Sequence, residues 1–482
     1  MYKTIAFGGW HPDIPPFDNP GVVVATNVFS DANAYQPFPN DIAYALAITA
    51  RCQGSGVIRD LSSSGQHFVG DRGSLYKLQT TGSWSNVSRT VGGSYSTGTT
   101  DVWEFAPWGN TMIAVNGIDA PQRISLGAAN FVVLPGAPPR AKHIATVRDF
   151  VVLGNISATA TLPQTVQWSA INNSDSWTAD AATLADRQDL PGTGGKIQKI
   201  IGGEYGTIFQ ERAIFRMTFV GSPLVFQFDQ IHNNIGALTP NAVVAYQNLI
   251  YFYSENGFYV FDGVNLKPIG VGKVDTYFRN SIDRTALHLM VGVVLPERKL
   301  VGWAYRSDLG GSLVCDQMLL YNWETEKWTL VDGLDMELLT TLYIDSSGYP
   351  EEFLGAFNAS HVLRRYRFVS GIAATRDVTL TTGDLQLNPD PEGRACITRV
   401  FPIVEGISAT ARITMKTRDT LGQSSSAGAA ISVISGNFAP VRSSAKFHRI
   451  QIDVSGSSGA GLNTKPLSLQ GLHIEYHLEG ER

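Results

Sequence analysis

The stretch from Ile197 to Gly263 decides the fold. It reads IQKIIGGEYGTIFQERAIFRMTFVGSPLVFQFDQI from 197 to 231 and AVVAYQNLIYFYSENGFYVFDG from 242 to 263. Its apolar residues alternate with a period of two, so that Phe215, Met217 and Phe219 share one face of a strand. Turn-forming residues interrupt this alternation at Glu211-Arg212, Gly221-Ser222-Pro223, Gln247-Asn248, Glu255-Asn256-Gly257 and Asp262-Gly263. The pattern predicts short antiparallel strands joined by hairpin turns, with Phe215, Phe219, Phe226 and Phe228 in the core.

A looser form of this strand-turn-strand pattern recurs along the chain. Each copy has an apolar strand, a turn and a second strand that ends in an aromatic residue. The copies start roughly 40 to 55 residues apart, which is typical of four-stranded propeller blades. The repeat predicts an all-β protein in which residues 51–370 form a β-propeller of about six to eight blades. A stack of β-sandwiches is the alternative that the sequence leaves open.

The two flanks differ from the repeat. Residues 1–50 are rich in proline and asparagine, which predicts an extended N-terminal arm. The arm carries Trp10, Phe17, Val22 to Val24, Phe29 and Tyr35, which favour burial over a disordered leader. Its end from Asp41 to Ala50 fits either a short helix or a strand. Beyond Ser370-Gly371, alternating segments separated by loops rich in Gly, Ser and Ala predict a C-terminal β-sandwich or barrel over residues 371–482.

Composition limits the class of function. Charged residues make up 16% of the 482 residues, against roughly 25% in typical soluble domains. We therefore expect other subunits to cover much of the surface. The net charge of −5 argues against a protein that grips DNA phosphates. Cys52, Cys315 and Cys396 are far apart and predict neither a disulfide framework nor a metal motif, which fits a reducing site of synthesis.

The start of the chain predicts no secretory signal, because Met1 to Trp10 contains one lysine and no apolar core. No apolar run reaches the length that crossing a bilayer requires. We expect synthesis in the cytoplasm and no membrane segment.

The sequence predicts no catalytic, cofactor-binding or metal-binding residues and no enzyme activity. The HExxH, CxxC, Walker, GxGxxG and GxSxG patterns are all missing. Gly270-Val271-Gly272-Lys273 resembles part of a phosphate loop, but it lacks the first Gly and the following Ser or Thr, so a turn is favoured. His448 and His477 lie in predicted strands, where structural histidines are expected.

Two further groups of residues invite a functional interpretation. Ser169 to Trp177 and Asp345 to Gly348 contain Asp-bearing turns like those of propeller glycosidases, and Arg364, Arg365 and Arg367 lie nearby in sequence. Strand alternation points Arg364 away from Arg365, which disfavours an arginine cluster. The second group consists of five tryptophans: Trp84, Trp103, Trp108, Trp168 and Trp177. Their rings could stack sugars or bases, although their positions at strand ends favour packing between blades.

Many short sequence segments, taken in their order along almost the whole chain, resemble those of one protein family. They include DNPG, RCQGSGVIRD, GAPPRAKHIATVRDFVVLGN, VQWSAINNSDSW, ENGFYVFDG, FHRIQIDVS and LQGLHIEYHLEG. In this order they resemble bacteriophage tail nozzle (tail hub) and packaged-DNA stabilisation proteins.

The resemblance implies a structural protein of the phage tail in the virion. Such proteins form a hexameric ring below the portal and its adaptor. The ring shapes the DNA exit channel and helps to retain packaged DNA. Double-stranded DNA passes through it without sequence recognition. Tail fibre, spike or needle proteins are partners that the resemblance leaves open. A tail-associated propeller glycosidase and a glycan-binding receptor protein are the alternatives.

Overall fold

A computed structural model of the chain describes residues 1–59, 65–157, 161–308, 313–346, 349–368, 374–405, 411–434, 436–455 and 467–479. These residues form mostly β-strands, arranged largely in antiparallel sheets of four. The all-β prediction is confirmed, and serial four-stranded sheets are the arrangement of a β-propeller.

The N-terminal segment contributes five strands, which we label β1 (Tyr2–Ala6), β2 (Val22–Thr26), β3 (Val28–Asp31), β4 (Ala34–Pro37) and β5 (Asp41–Ala47). Of the two structures that fitted residues 41–50, the strand is the one observed. Trp10, Val22, Phe29 and Tyr35 are buried as expected, whereas the expected burial of Phe17 is wrong, because its side chain is 55% exposed. The segment therefore lies along the rest of the molecule and pairs with it.

Among the described residues, six sheets of four antiparallel strands and one run of four antiparallel strands within a larger sheet follow one another, and we number these seven units in chain order. The first four units are built from Gly54–Arg59, Gly65–Gly70, Leu75–Leu78 and Trp84–Asn86; Glu104–Trp108, Thr111–Val115, Gln122–Ser125 and Val132–Val133; Arg140–Val147, Phe150–Ser157, Thr161–Trp168 and Asp186–Asp189; and Ile197–Ile201, Gly206–Gln210, Ile214–Gly221 and Val225–His232.

The last three units follow the same plan. They are built from Val244–Tyr246, Leu249–Ser254, Gly257–Phe261 and Leu266–Pro268; Val291–Leu295, Leu300–Tyr305, Gln317–Asn322 and Lys327–Val331; and Leu338–Ser346, Tyr349–Phe357 and Val362–Tyr366 with β5. The seventh unit thus takes its outer strand from the N-terminal segment.

The fourth unit follows the alternation that the sequence predicts. Phe219 pairs with Phe226, and Met217 pairs with Phe228, across one hairpin. Phe215 and Phe226 are 1% and 2% exposed and belong to the core, whereas Phe219 and Phe228 pack against it from a partly buried position. The hairpin turns fall where the turn-forming residues predicted them.

The C-terminal strands form two sheets that include N-terminal strands. In one sheet, β1, β3 and β4 join Arg394–Glu405, Ala439–Ala445 and Ser468–Glu479. In the other, β2 links the last strand of the sixth unit to Val378–Thr382, Leu385–Gln386, Ala411–Arg418, Ser426–Ala427, Ile431–Ser432 and Phe447–Val454.

The ranges 1–50, 51–370 and 371–482 stay predictions. Strands of the first 47 residues pair with both C-terminal sheets and with the seventh unit, so this segment lies along other parts of the molecule. These pairings were not predicted, because a single strand carries no local signal of the distant edge with which it pairs. The predicted boundary at 370–371 lies outside the described residues.

One short α-helix, α1 (Asp275–Ser281), connects the fifth and sixth units, and 3₁₀ turns occupy Pro240–Ala242, Arg284–Leu289 and Pro296–Arg298. Asp13 caps α1, because its carboxylate accepts hydrogen bonds from the backbone N–H groups of Thr276 and Tyr277 at 2.8 and 2.7 Å. In the described part of the chain, no helix has the length and apolar character that crossing a membrane requires.

The largest core cluster joins the fifth and sixth units to the C-terminal sheets. Phe258 lies at its aromatic centre, with ring centroids 4.9 Å from Phe278, 4.8 Å from Trp303 and 5.1 Å from Trp328. Both indole N–H groups donate to backbone carbonyls, so these buried aromatics leave no polar atom without a partner. The propeller-like units and the C-terminal sheets are therefore packed as one body.

Candidate functional site

The first strands of the seven units surround a central cavity of about 460 Å³. Its walls include apolar side chains from several units, among them Ile144, Ile200 and Val291. A second cavity of similar size continues it between the first, fifth, sixth and seventh units. Spaces of this size suit small ligands and are too small for duplex DNA, whose major groove alone is about 12 Å wide.

Three of these first strands are joined by a buried charged cluster. Glu104 begins the first strand of the second unit, and its Oε1 lies 2.8 Å from Lys199 Nζ and 3.0 Å from His143 Nδ1. Its Oε2 accepts a hydrogen bond from the Ile144 N–H at 3.2 Å. Because His143 belongs to the third unit and Lys199 to the fourth, one carboxylate connects three successive units.

The partners of Glu104 determine its ionisation. Burial alone would raise the pKa of this carboxyl group, but the Lys199 ammonium and the His143 imidazole hold it down to about 2. Glu104 is therefore a carboxylate throughout the physiological range. A pKa this low suits a fixed ionic link between strands and is opposite to the raised pKa of a general acid.

A second polar cluster lies where the seventh unit meets the first. Glu337 Oε1 lies 2.8 Å from His361 Nδ1, and Glu337 Oε2 accepts a hydrogen bond from the Cys52 N–H at 3.2 Å. Nearby, Ser55 Oγ donates to Thr340 Oγ1 at 2.9 Å. Burial raises the pKa of Glu337, although His361 opposes this shift. These contacts hold the last unit against the first.

The lysines at one mouth of the cavity are paired with carboxylates. A smaller space of about 270 Å³ is lined there by Lys142 and Lys196. Lys142 Nζ lies 2.7 Å from Asp101 Oδ1, and Lys196 Nζ lies 3.5 Å from Glu211 Oε1. Because each ammonium has an acidic neighbour, this mouth does not present an uncompensated basic patch to phosphates.

His448 and the glycine-rich turn of the sequence have structural surroundings, whereas His477 does not. His448 is fully buried and its Nε2 lies 3.0 Å from the Ala395 carbonyl, as expected of a structural histidine, whereas His477 is exposed. The segment from Gly270 to Lys273 turns into α1, and the Gly270 carbonyl accepts hydrogen bonds from the N–H groups that follow. It therefore forms the turn that its sequence favoured.

The tryptophans have separate partners, whereas two of the three arginines, Arg365 and Arg367, lie over the same Phe353 ring. Trp103, Trp168 and Trp177 are buried and donate to backbone carbonyls, as packing between strands predicts. Arg364 pairs with Asp41, whereas Arg365 stacks over the Tyr44 ring on the other side of the strand. Residues 347–348 of the second Asp-bearing turn lie outside the described part of the chain.

The sequence reasoning missed the Glu104 cluster. Glu104 stands in the segment Trp103 to Trp108, where an acidic residue within an apolar strand is the only local signal. His143 and Lys199 occupy early positions in later first strands. Comparing the same position across repeats could have suggested that these charges meet.

No known family model matches the chain, and no curated protein sequence matches it. Its structure is similar to that of the computationally designed Ika8 protein at 10% identity and a TM-score of 0.37, over 75% of this chain and 98% of the other. It is also similar to YCF48 from Cyanidioschyzon merolae at 12% identity and a TM-score of 0.41, over 68% of this chain and 98% of the other.

Proposed function

We propose that this protein is a structural component of a phage tail, forming the nozzle ring below the portal and its adaptor. The proposal takes its specific identity from the resemblance of the sequence phrases, which also supplies six as the number of subunits. It has no enzyme activity and no cofactor in this role. It is made in the host cytoplasm and works in the virion.

In this proposal the seven units are seven blades of one closed propeller. The polar contacts between the seventh and first units support closure, since Ser55 and Cys52 on one side bond to Thr340 and Glu337 on the other. The two C-terminal sheets form the accompanying β-sandwich. A closed ring of blades leaves only short outer edges available for pairing.

The observation that carries a structural role is the way the N-terminal segment ties the molecule together. Strands β1, β3 and β4 extend one C-terminal sheet, β2 extends the other, and β5 completes the seventh unit. A single segment of 47 residues thus connects both C-terminal sheets with the sixth and seventh units. Such an arrangement resists separation of the parts, which suits a tail component that retains packaged DNA under load.

Exposed apolar side chains support burial against neighbouring subunits. Among the exposed large apolar residues, three pairs lie at the outer strand of a unit or at a hairpin end, where a second copy could cover them: Ile42 and Leu46, Val132 and Val133, and Val220 and Leu224. Repeated contacts of this kind close into a ring without unsatisfied ends. A lasting interface would bury more than about 1,000 Å² per neighbour.

DNA would pass through the ring of subunits and not through the cavity of one propeller. That cavity, at about 460 Å³, is of small-ligand size. The wall of the channel between subunits is expected to be poor in unpaired lysine and arginine, because such a wall binds phosphates weakly and lets a duplex move in one passage. The net charge of −5 agrees with this requirement.

The glycosidase alternative finds less support. A glycosidase needs a carboxyl group that stays protonated near neutral pH and a second carboxylate at a fixed distance. Glu104 is the buried carboxyl group of the cavity wall, and its pKa is lowered to about 2. Its geometry favours holding strands together over donating a proton.

Averaged images of the virion test the proposal. The expected result is a ring of this chain between the adaptor and the distal tail, with a central passage wide enough for duplex DNA. Purified protein should show no high-affinity DNA binding at physiological salt. Density for this chain only in peripheral fibres would overturn the proposal, as would hydrolysis of cell-wall polysaccharide measured by a reducing-sugar assay.

A further inference from the structure

Three potential metal ligands meet on one face of a C-terminal sheet. Cys396 lies in Arg394–Glu405 and pairs directly with His477 in the neighbouring strand Ser468–Glu479. Glu479 follows His477 by two residues and therefore projects from the same face. One ligand atom from each of the three side chains lies within 4.8 Å of the other two.

A third strand supports this group. Ser444 lies in Ala439–Ala445 and pairs with Cys396 on the side opposite to His477. Its hydroxyl group bonds to Glu479 Oε2, which leaves the other carboxylate oxygen available. A hydrogen bond of this kind orients a carboxylate ligand in metal sites. The Glu479 carboxylate is therefore positioned by the sheet and not left to rotate freely.

The chemistry of the three side chains suits a divalent metal. A coordinated thiol gives up its proton to water and bonds as the thiolate.

We propose that Cys396 Sγ, a ring nitrogen of His477 and a carboxylate oxygen of Glu479 form a binding site for a transition metal of the Zn²⁺ type. Water occupies the fourth position, since His477 is exposed to solvent. Sulfur, imidazole and carboxylate ligands together suit Zn²⁺ and do not suit Mg²⁺ or Ca²⁺, which take oxygen ligands.

The bound metal would link the end of the last strand to the start of its neighbour Arg394–Glu405. Both strands contain 12 residues, and Ser468–Glu479 also pairs with β1 and β4. A metal that binds only the folded sheet stabilises it by mass action. This inference stands independently of the proposed tail function.

Cobalt provides the direct test, because Co²⁺ occupies zinc sites and a thiolate ligand gives it a charge-transfer band in the near ultraviolet. Titration of the full chain with Co²⁺ should produce that band at one equivalent, and Zn²⁺ should abolish it. Cys396→Ser should remove the band. His477→Gln should weaken Zn²⁺ binding at least tenfold by calorimetry, and Glu479→Gln should weaken it less.

His473→Gln is the matched control, since His473 lies on the same strand and bonds to Thr4 instead of the cluster. It should bind Zn²⁺ as the unmodified protein does. Zn²⁺ should also slow alkylation of Cys396, which is readable because Cys52 and Cys315 are fully buried. Equal Zn²⁺ affinity in His477→Gln and the unmodified protein would overturn the site, as would a cobalt spectrum without a thiolate band.

Discussion

The fourth and seventh units have the same four-stranded plan but different origins. All strands of the fourth unit come from residues 197–232, and each pairs with its neighbour in sequence. The seventh unit joins three consecutive strands to β5, in which Asp41 bonds to Arg364 across 323 residues of sequence. The fourth unit folds from local contacts, whereas the seventh unit requires the two ends of the propeller region to meet.

This difference determines what each unit contributes to the molecule. A unit built from consecutive strands can form its hairpins before the rest of the chain is arranged. The seventh unit forms only when the ring is complete, so its outer strand acts as the closure of the whole fold. Damage to β5 should therefore affect every part, whereas damage within the fourth unit should cost what its own core loses.

Removal of residues 1–47 should have the largest effect. The seventh unit would lose β5 and the two C-terminal sheets would lose β1 to β4, exposing several apolar edges at once. We expect no cooperative thermal unfolding and strong aggregation in size-exclusion chromatography. A truncated protein that keeps a sharp melting transition would show that the N-terminal segment is only an addition to an already complete fold.

The next largest effect is expected in the core of the fourth unit. Phe226→Ala removes a ring that is 2% exposed and contacts Phe150 and Trp168, so unfolding should become easier by about 3–5 kcal/mol. Leu224→Ala, in the same hairpin, is the control because Leu224 is 68% exposed; its effect should stay within about 0.5 kcal/mol. Denaturant unfolding measures both, and similar losses would mean that this hairpin end is buried by another contact.

Glu104→Gln should destabilise the units built from consecutive strands by about 3 kcal/mol, because it leaves Lys199 and His143 without their charged partner. The folded pKa of about 2 lies below the ordinary value of 4.5, so the stabilisation is complete above pH 4.5 and is lost as the pH falls towards 2. Urea unfolding of both proteins from pH 3 to 7 should show their difference shrinking on acidification. A difference that does not change with pH would contradict the ionic role of Glu104.

Asp275→Asn should have the smallest effect and the opposite sign. Asp275 lies where the N-terminal segment reaches α1. Burial raises its pKa to about 6. The Asp13 charge adds to this shift, whereas the Phe258 N–H and Arg279 oppose it. Ionisation of Asp275 is then unfavourable in the folded protein. The loss of folding stability that it causes is absent below pH 3.8, grows as the pH rises towards 6 and is complete above pH 6. The amide should therefore add about 1–2 kcal/mol at pH 7.5 and nothing at pH 3.5. A destabilised variant at pH 7.5 would mean that the ionised carboxylate is needed at this junction.

The sequence allowed the local part of the fold to be predicted. Alternation around Phe215 and turn residues such as Gly221-Ser222-Pro223 depend only on neighbours in the chain, and the hairpins follow them. The pairing of Asp41–Ala47 with Val362–Tyr366 could not be predicted, because a lone strand with exposed Ile42 and Leu46 does not identify its partner.

The charged clusters illustrate the same limit. Glu104, His143 and Lys199 are spread over nearly 100 residues, and their contact depends on how three units are oriented around the central cavity. Cys396 and His477 were considered separately in the sequence because the register that places them opposite each other is a property of the sheet. The prediction of a structural His448 concerned only burial in a strand, and the buried position of this residue agrees with it.

The pairing of β5 has a consequence for synthesis on the ribosome. Asp41 is translated 323 residues before its partner Arg364, a delay of roughly 16–65 s at the usual 5–20 residues per second. β3 and β4 can pair with each other at once. β2 and β5 must wait for strands made much later, and each resembles an open sheet edge that another nascent chain could pair with. Proline-rich stretches such as 12–20, which pair poorly, lie beside these strands. Slow translation near the end of the chain would lengthen the exposure, so the yield of folded protein should depend on the rate at which its last third is made.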